Sequence, residues 1–254
     1  MIKLAVLLQR KPGMSFEAFD RHWDGPHGDL VVGIPEFMRH VRRYSQSHVV
    51  DPSYEGAGME WQAAKIDGIA EVSFDDVDAM TAAFNEPRFV ELVGTDDAQF
   101  IDGGAVSVLV TQEIEKIPLN GSPAVKLSVA IKRPDGMSFD AFDTYWNTTH
   151  AEIVTSVPEF TRHVRRYVQS HIIQEYTGAD DRSKLTNQWS FAPFDGIAEL
   201  WFDDAAEVVR AFNEPAFIET IAPDDVNFVD QAGTKLLVVQ EIEKFPNLVH
   251  RYSN

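Results

Sequence analysis

The chain contains no cysteine. That excludes disulfides, thiol nucleophiles and thiolate metal sites, and it points to a reducing, cytoplasmic setting. Positive charge is scarce as well. Lys and Arg number 22 against 40 Asp and Glu, a formal charge of −18, and no long Lys/Arg run occurs. Binding to nucleic acid or to an anionic membrane needs a basic footprint, so neither partner is expected. Long apolar runs are missing too. The opening MIKLAVLLQRKPG has one short run that meets Arg-Lys-Pro at once, too short for a signal segment or a span. No GxGxxG, P-loop, HExxH or HxH spacing appears, so no nucleotide and no metal is expected. His40 and His48 lie roughly 26 Å apart on an extended strand at about 3.3 Å per residue, too far to share an ion. The expectation is a soluble protein whose chemistry needs no cofactor.

What the sequence does have is repetition. RHVRRYSQSH at 39–48 returns as RHVRRYVQSH at 162–171, with Ser45 against Val168 as the one change. Aligning Lys3 with Lys126 gives 26 identities over the 48 positions 3–50. Later motifs repeat at a shift of 128: DGIAE at 67–71 and 195–199, FNEP at 84–87 and 212–215, QEIEK at 112–116 and 240–244. The second copy therefore carries five extra residues before its third strand. A period this long marks duplicated domains rather than a solenoid. The expected units are 1–117 and 124–254, joined by the turn-rich PLNGSP at 118–123.

Each copy reads β-α-β-β-α-β. In the first, the strands fall at 3–9, 37–50, 68–74 and 106–115. Ser15 caps a helix carrying Phe16, Phe19 and Trp23, and a second helix ends at Pro87. This order is ferredoxin-like, an antiparallel sheet with helices on one face. The bare face needs a cover, and the second copy supplies it. The expected fold is α+β, two ferredoxin-like halves forming an intramolecular dimeric α+β barrel.

Strand alternation sorts the repeated decamer. One face carries His40, Arg42, Tyr44, Gln46 and His48, and all five recur in the second copy. A face so polar is expected to look into the barrel, toward water or a ligand, or else to form a structural polar network. Acid/base candidates are His27 and His150 behind the first helix, and His48 and His171 ending the stripe. Tyr44 and Tyr167 can hydrogen-bond a substrate oxygen, with Gln46 and Gln169 beside them. Arg42 and Arg165 can hold an enolate or carboxylate, or pair with Glu71 and Glu199. Asp67 and Asp195 open DGIAE, where turn chemistry is the plainer reading. Trp61 and Trp189 form an aromatic wall or pin a loop. His22, opposite Tyr145 in the second copy, looks incidental. The second copy also has NTT at 147–149 where the first has DGP at 24–26, so two related sites of unequal access are expected.

The pattern F-x-x-x-W-x-x-x-H at 19–27 and 142–150, then RYSQSH and RYVQSH, then DGIAE, resembles the EthD family of dimeric α+β barrel proteins, here as a fused tandem. The resemblance implies site residues at His27, His150, Tyr44, His48, Tyr167 and His171. It also implies cofactor-independent lyase or isomerase chemistry of the dehydratase, decarboxylase, cyclase or lactone isomerase type. The substrate would be a small oxygenated cyclic, lactone or polyketide-like molecule. The alternatives are a non-enzymatic accessory protein of a catabolic pathway and a haem-binding barrel. A homo-oligomer is compatible with this resemblance.

Overall fold

The computed structural model describes residues 1–50, 62–63, 65–173 and 190–252. Within them the strands are β1 (Ile2–Leu8), β2 (Val41–Val49), β3 (Gln62–Ala63), β4 (Gly68–Phe74), β5 (Ser107–Ile117), β6 (Val125–Ile131), β7 (Arg166–Ile172), β8 (Ser190–Phe191), β9 (Gly196–Phe202) and β10 (Lys235–Phe245). Eight of them run in the order β1-β4-β2-β10-β6-β9-β7-β5, and β5 returns to β1, closing an antiparallel barrel. The short β3 and β8 add to β10 and β5 in parallel. The two repeats meet edge to edge twice, through β2 with β10 and through β5 with β7. Closure removes the free edges that would otherwise invite aggregation.

Helices cover the outside of the barrel. In the first repeat Ser15 caps Phe16–His22 by accepting from the Ala18 N–H, and Ser138 does the same for Phe139–Tyr145. The helix runs on through a π turn at Trp23–His27 into Gly28–Val32. The matching π turn, Trp146–His150, contains no proline, so Pro26 is not its cause. Two expected boundaries change. Residues 37–40 belong to a short helix, Pro35–Met38, and its exit, so the second strand starts at Val41. Pro87 ends nothing. It opens a new helix, Pro87–Phe100, at the first-turn position where a missing N–H has no cost.

The inside of the barrel is ionic. Lys3 Nζ lies 2.9 Å from Glu71, 2.8 Å from Glu113 and 2.5 Å from Glu199. Lys126 Nζ, its repeat partner, lies 2.5 Å from Glu71, 2.9 Å from Glu199 and 3.1 Å from Glu241. Ser47 and Ser170 donate to Glu71 and Glu199 at 2.7 Å. These groups share the interior with Ser45 and Val168, which corrects the expected register. The face of Arg43, Ser45 and Ser47 looks inward. The face of Tyr44, Gln46 and His48 looks outward, against the helices. The expectation failed because that stripe was judged too polar to lie beneath helices. The helices bring polar partners of their own.

Removing one lysine would leave buried carboxylates uncompensated. Lys3→Met is expected to cost about 3–5 kcal/mol in chemical denaturation. A loss below about 1 kcal/mol would mean that the barrel does not depend on its ions.

Candidate functional site

The first link outward from the sheet is a glycine. A Cβ on Gly68 would stand 2.3 Å from Cζ3 of Trp23, and one on Gly196 would stand 2.4 Å from Cζ3 of Trp146. Each indole therefore lies flush on the third long strand of its repeat. Both are fully buried. This explains DGIAE in structural terms. The aspartate accepts from the backbone N–H of Arg10, or of Arg133 in the second copy, and pairs with that guanidinium. The glycine makes room for tryptophan, and the glutamate joins the ionic interior.

From the tryptophan a hydrogen-bonded chain runs to the tyrosine. Gln46 Nε2 donates to the Trp23 carbonyl at 2.9 Å and to Tyr44 Oη at 2.8 Å. Its Oε1 meets His48 Nε2 at 3.1 Å, and His48 Nδ1 meets Asp20 at 2.7 Å. The second repeat copies this as Trp146, Tyr167, Gln169, His171 and Asp143, at 2.9, 2.8, 3.1 and 2.6 Å. The amide orientation is fixed by the tryptophan carbonyl, so both His48 nitrogens face acceptors. Burial lowers the His48 pKa, and the Asp20 carboxylate works against that. Burial also acts to raise Asp20, but His48, Tyr252 and Arg251 hold it below the usual carboxylate range. Because Tyr44 Oη already accepts from Gln46, its own proton is free to donate. Burial pushes that phenol up despite the Gln46 bond, helped by Asp97 and Asp24, so it stays protonated.

Between the outward sheet face and the helices lies a cavity of about 820 Å3, lined by Trp23, His27, Tyr44, Phe37, Phe89 and Asp97 among others. Its size falls in the range of small-molecule sites. His27 Nδ1 lies 2.9 Å from Asp96, which also meets His22 Nε2 at 3.0 Å. With Nδ1–H donated to that carboxylate, the lone pair of a neutral His27 is on Nε2. The His27 bond is the main reason Asp96 sits below its ordinary value. Asp97 differs. Its carboxylate makes no hydrogen bond among the described residues, and His27 Nδ1 lies 3.7 Å from it. Burial, offset in part by His27, raises it to about 6.

The same pocket exists in the second repeat, lined by Trp146, His150, Tyr167, Phe160, Phe217 and Asp225 among others, but it measures only about 50 Å3. His150 Nδ1 lies 2.9 Å from Asp224 and 3.8 Å from Asp225. Burial lowers the His150 pKa, against the pull of Asp224. Burial and Asp224 push Asp225 up to about 8.

The expected site residues thus divide. His27, His150, Tyr44 and Tyr167 line the two cavities. Gln46, Gln169, His48 and His171 stand one or two bonds behind the tyrosines and line neither. Arg42 and Arg165 lie outside, paired to Asp75 and Asp203 rather than to Glu71 and Glu199. Glu71 and Glu199 face the barrel interior, so they do not join the histidine stripe. Asp67 and Asp195 are held by Arg10 and Arg133. Trp61 and Trp189 lie outside the described residues. His22, set aside in the sequence, braces Asp96. Asp97 and Asp225 were missed. The doublets DD at 96–97 and 224–225, which keep the shift of 128, were the available signal.

Comparison with known proteins adds a family and a fold. The family model described as EthD domain matches residues 11–104 and 134–232. No curated protein matches the chain. Among solved structures, an anthrone oxidase-like protein aligns over 99% of this chain and 96% of its own, with TM-score 0.60 at 8% identity. A mutant chlorite dismutase from Candidatus Nitrospira defluvii aligns over 94% and 91%, with TM-score 0.50 at 12% identity. An EthD family protein from Bacillus halodurans C-125 aligns over 45% of this chain and 99% of its own, with TM-score 0.34 at 22% identity. Among the described residues no helix is long and apolar enough to cross a membrane.

The buried Asp225 gives a test of the second pocket. A folded-state pKa raised to about 8 means that the folded chain keeps a proton the unfolded chain releases near pH 4. Its contribution to stability therefore falls as pH rises from about 4 toward 8. Asp225→Asn removes that loss. The variant is expected to match the wild type in Tm near pH 4 and to exceed it by about 10 °C at pH 8. A pH-independent difference in thermal melts would mean that Asp225 is solvated.

Proposed function

The chain belongs to the EthD domain family, and we propose on that premise that it is a cofactor-independent acid/base lyase or isomerase. Its substrate is a small oxygenated ring, lactone or polyketide-like molecule bound in the first cavity. The carrying observation is Asp97, a carboxylate on the cavity wall 3.7 Å from His27 that makes no hydrogen bond among the described residues, sharing the cavity with Tyr44, whose hydroxyl accepts from Gln46.

The chemistry follows from those groups. The Asp97 carboxylate takes the proton from a carbon next to a carbonyl. The C–H electron pair moves into the new C=C bond, and the carbonyl π pair goes to oxygen. Tyr44 O–H donates to the enolate oxygen so formed, where a fixed donor stabilises developing charge most. The protonated Asp97 then returns its proton as the enolate oxygen's pair re-forms the carbonyl, either to the γ-carbon of a conjugated enolate, completing an isomerisation, or to a β-hydroxyl whose C–O bond breaks so that it leaves as water, completing a dehydration. His27, oriented by Asp96, stands 3.7 Å from Asp97 on the same wall. A pKa near 6 suits a base that works at neutral pH.

The same reading takes residues 1–117 and 124–254 as two ferredoxin-like halves. The strand orders β5-β1-β4-β2 and β10-β6-β9-β7 support it. Gln46 and His48 act through Tyr44 by holding its hydroxyl, and neither touches substrate.

The test is deuterium exchange at the α-carbon of 1-tetralone in D2O, followed by NMR. Wild-type protein is expected to accelerate exchange, with a rate that rises through pH about 6 as Asp97 ionises. Asp97→Asn should lower that rate about 10²–10⁴-fold and abolish the pH limb. Tyr44→Phe should lower the rate and leave the limb in place. A folded Asp97→Asn variant that exchanges as fast as the wild type removes Asp97 from the chemistry. Tight binding without exchange favours a non-enzymatic accessory role.

A further inference from the structure

The two cavities hold the same chemistry in very different space. Tryptophan, histidine, tyrosine and aspartate recur on both walls, yet one volume is about 820 Å3 and the other about 50 Å3. The smaller is room for little more than water. Part of the difference is side-chain bulk. Leu200 stands where the first repeat has Val72, and Ile221 where it has Val93. Two methylene groups are far too little for the whole of it.

The rest lies in the roof. Over the first cavity the roof is one continuous helix, Pro87–Phe100. Over the second the helix runs through a π turn, Phe217–Ile221, into a last short turn, Ala222–Asp225. Pro223 stands just past the π turn, where the first repeat has Thr95. Proline has no N–H to continue the ladder, and its ring crowds the carbonyl four residues back. A shifted turn before it is the ordinary response.

Charge then restricts what the open cavity accepts. Its wall carries three carboxylic acids, Glu91, Asp97 and Asp102, against one lysine. That lysine, Lys11, already donates to the Ala98 carbonyl at 2.9 Å. Among the described residues no arginine lines the cavity. The remaining wall is largely aliphatic and aromatic, with Phe37 and Phe89 stacked at 4.1 Å.

We propose that each chain carries one working ligand site, in its first half, which accepts an uncharged ring-bearing molecule and rejects its carboxylate analogue. The second half keeps the polar residues of a site that its own roof and side chains have filled. This rests on the cavity assignment above and adds stoichiometry, location and charge class. An anionic ligand would face three carboxylic acids, Glu91, Asp97 and Asp102, against the single Lys11, whereas an uncharged ring loses nothing to that wall.

The experiment titrates purified protein with pyrene-1-methanol and with pyrene-1-carboxylate at pH 7.5, by fluorescence and calorimetry. One pyrene-1-methanol per chain is expected, with the carboxylate bound at least tenfold more weakly. Crystals soaked in pyrene-1-methanol should show it against Phe37 and Tyr44 and not against Phe160 and Tyr167. Val93→Phe, with folding checked by circular dichroism, should weaken binding at least tenfold. Two alcohols per chain, density in the second cavity, equal binding of the carboxylate, or no saturable binding of either overturns the proposal. If Val93→Phe does not fold, the crystal soak decides alone. Asp97→Asn separates this proposal from the reaction. Should it bind the alcohol as wild type does while exchange proceeds unchanged, the acid/base reading fails and the single-site inference stands.

Discussion

Two lysines buried at the centre of the barrel constrain everything around them. Lys3 belongs to the first repeat and Lys126 to the second, yet each contacts Glu71 and Glu199, one carboxylate from each repeat. Removing such charges from water is expensive, and only several close partners at once offset it. Burial works to lower Lys3, and Glu199, Glu71 and Glu113 together raise it well above its ordinary value. The pairing also crosses between repeats, so neither half can settle its charges alone. That reciprocal demand fixes how the halves meet.

The ionic interior decides where a ligand can go. The ion pairs occupy the inward face of the barrel, and strand alternation sends the other face outward. There the helices lie over Tyr44, Gln46 and His48, and the polar stripe is satisfied by the Trp23 carbonyl and Asp20. What would have been an unfavourable polar face under helices becomes a fixed network with one proton left over, on the tyrosine. Gly68 permits this by letting Trp23 lie flat on the strand. The cavity opens beside that network, between sheet and helices.

The same constellation occurs in the chain twice, and the two repeats differ in shape more than in chemistry. The first repeat has a continuous helical roof, and an aspartate at its wall raised to about 6. The second has Pro223 in the roof and an aspartate raised to about 8 inside a closed pocket. Burial is the main cause in both. The larger shift in Asp225 tracks its tighter enclosure. At neutral pH one carboxyl is ready to accept a proton, and the other still holds its own.

The sequence by itself determined the duplication, the alternation of strands and helices, the EthD family and the closed α+β barrel. The repeat and the fold order follow from periodic apolar spacing and from motifs that recur at shifts of 123 and 128, and the family from the resemblance of those motifs to EthD proteins. It also marked His27 and Tyr44, because a histidine behind a helix and a tyrosine on a polar stripe stand out in one dimension. It did not determine which face of the second strand looks inward. Alternation separates Tyr44 from Ser45, but only the pairing of Lys3 with Glu71 and Glu199, positions distant in the chain, says which of the two faces is interior. Asp97 was hidden for the same reason. A doublet of aspartates on a surface helix is ordinary until tertiary packing encloses one of them beside His27. The unequal cavities were likewise beyond the sequence. NTT in place of DGP hinted at asymmetry, but the volumes are set by how a helix roof packs on a sheet. Tertiary structure alone decides that, because free space is a property of the whole packing and of no single residue.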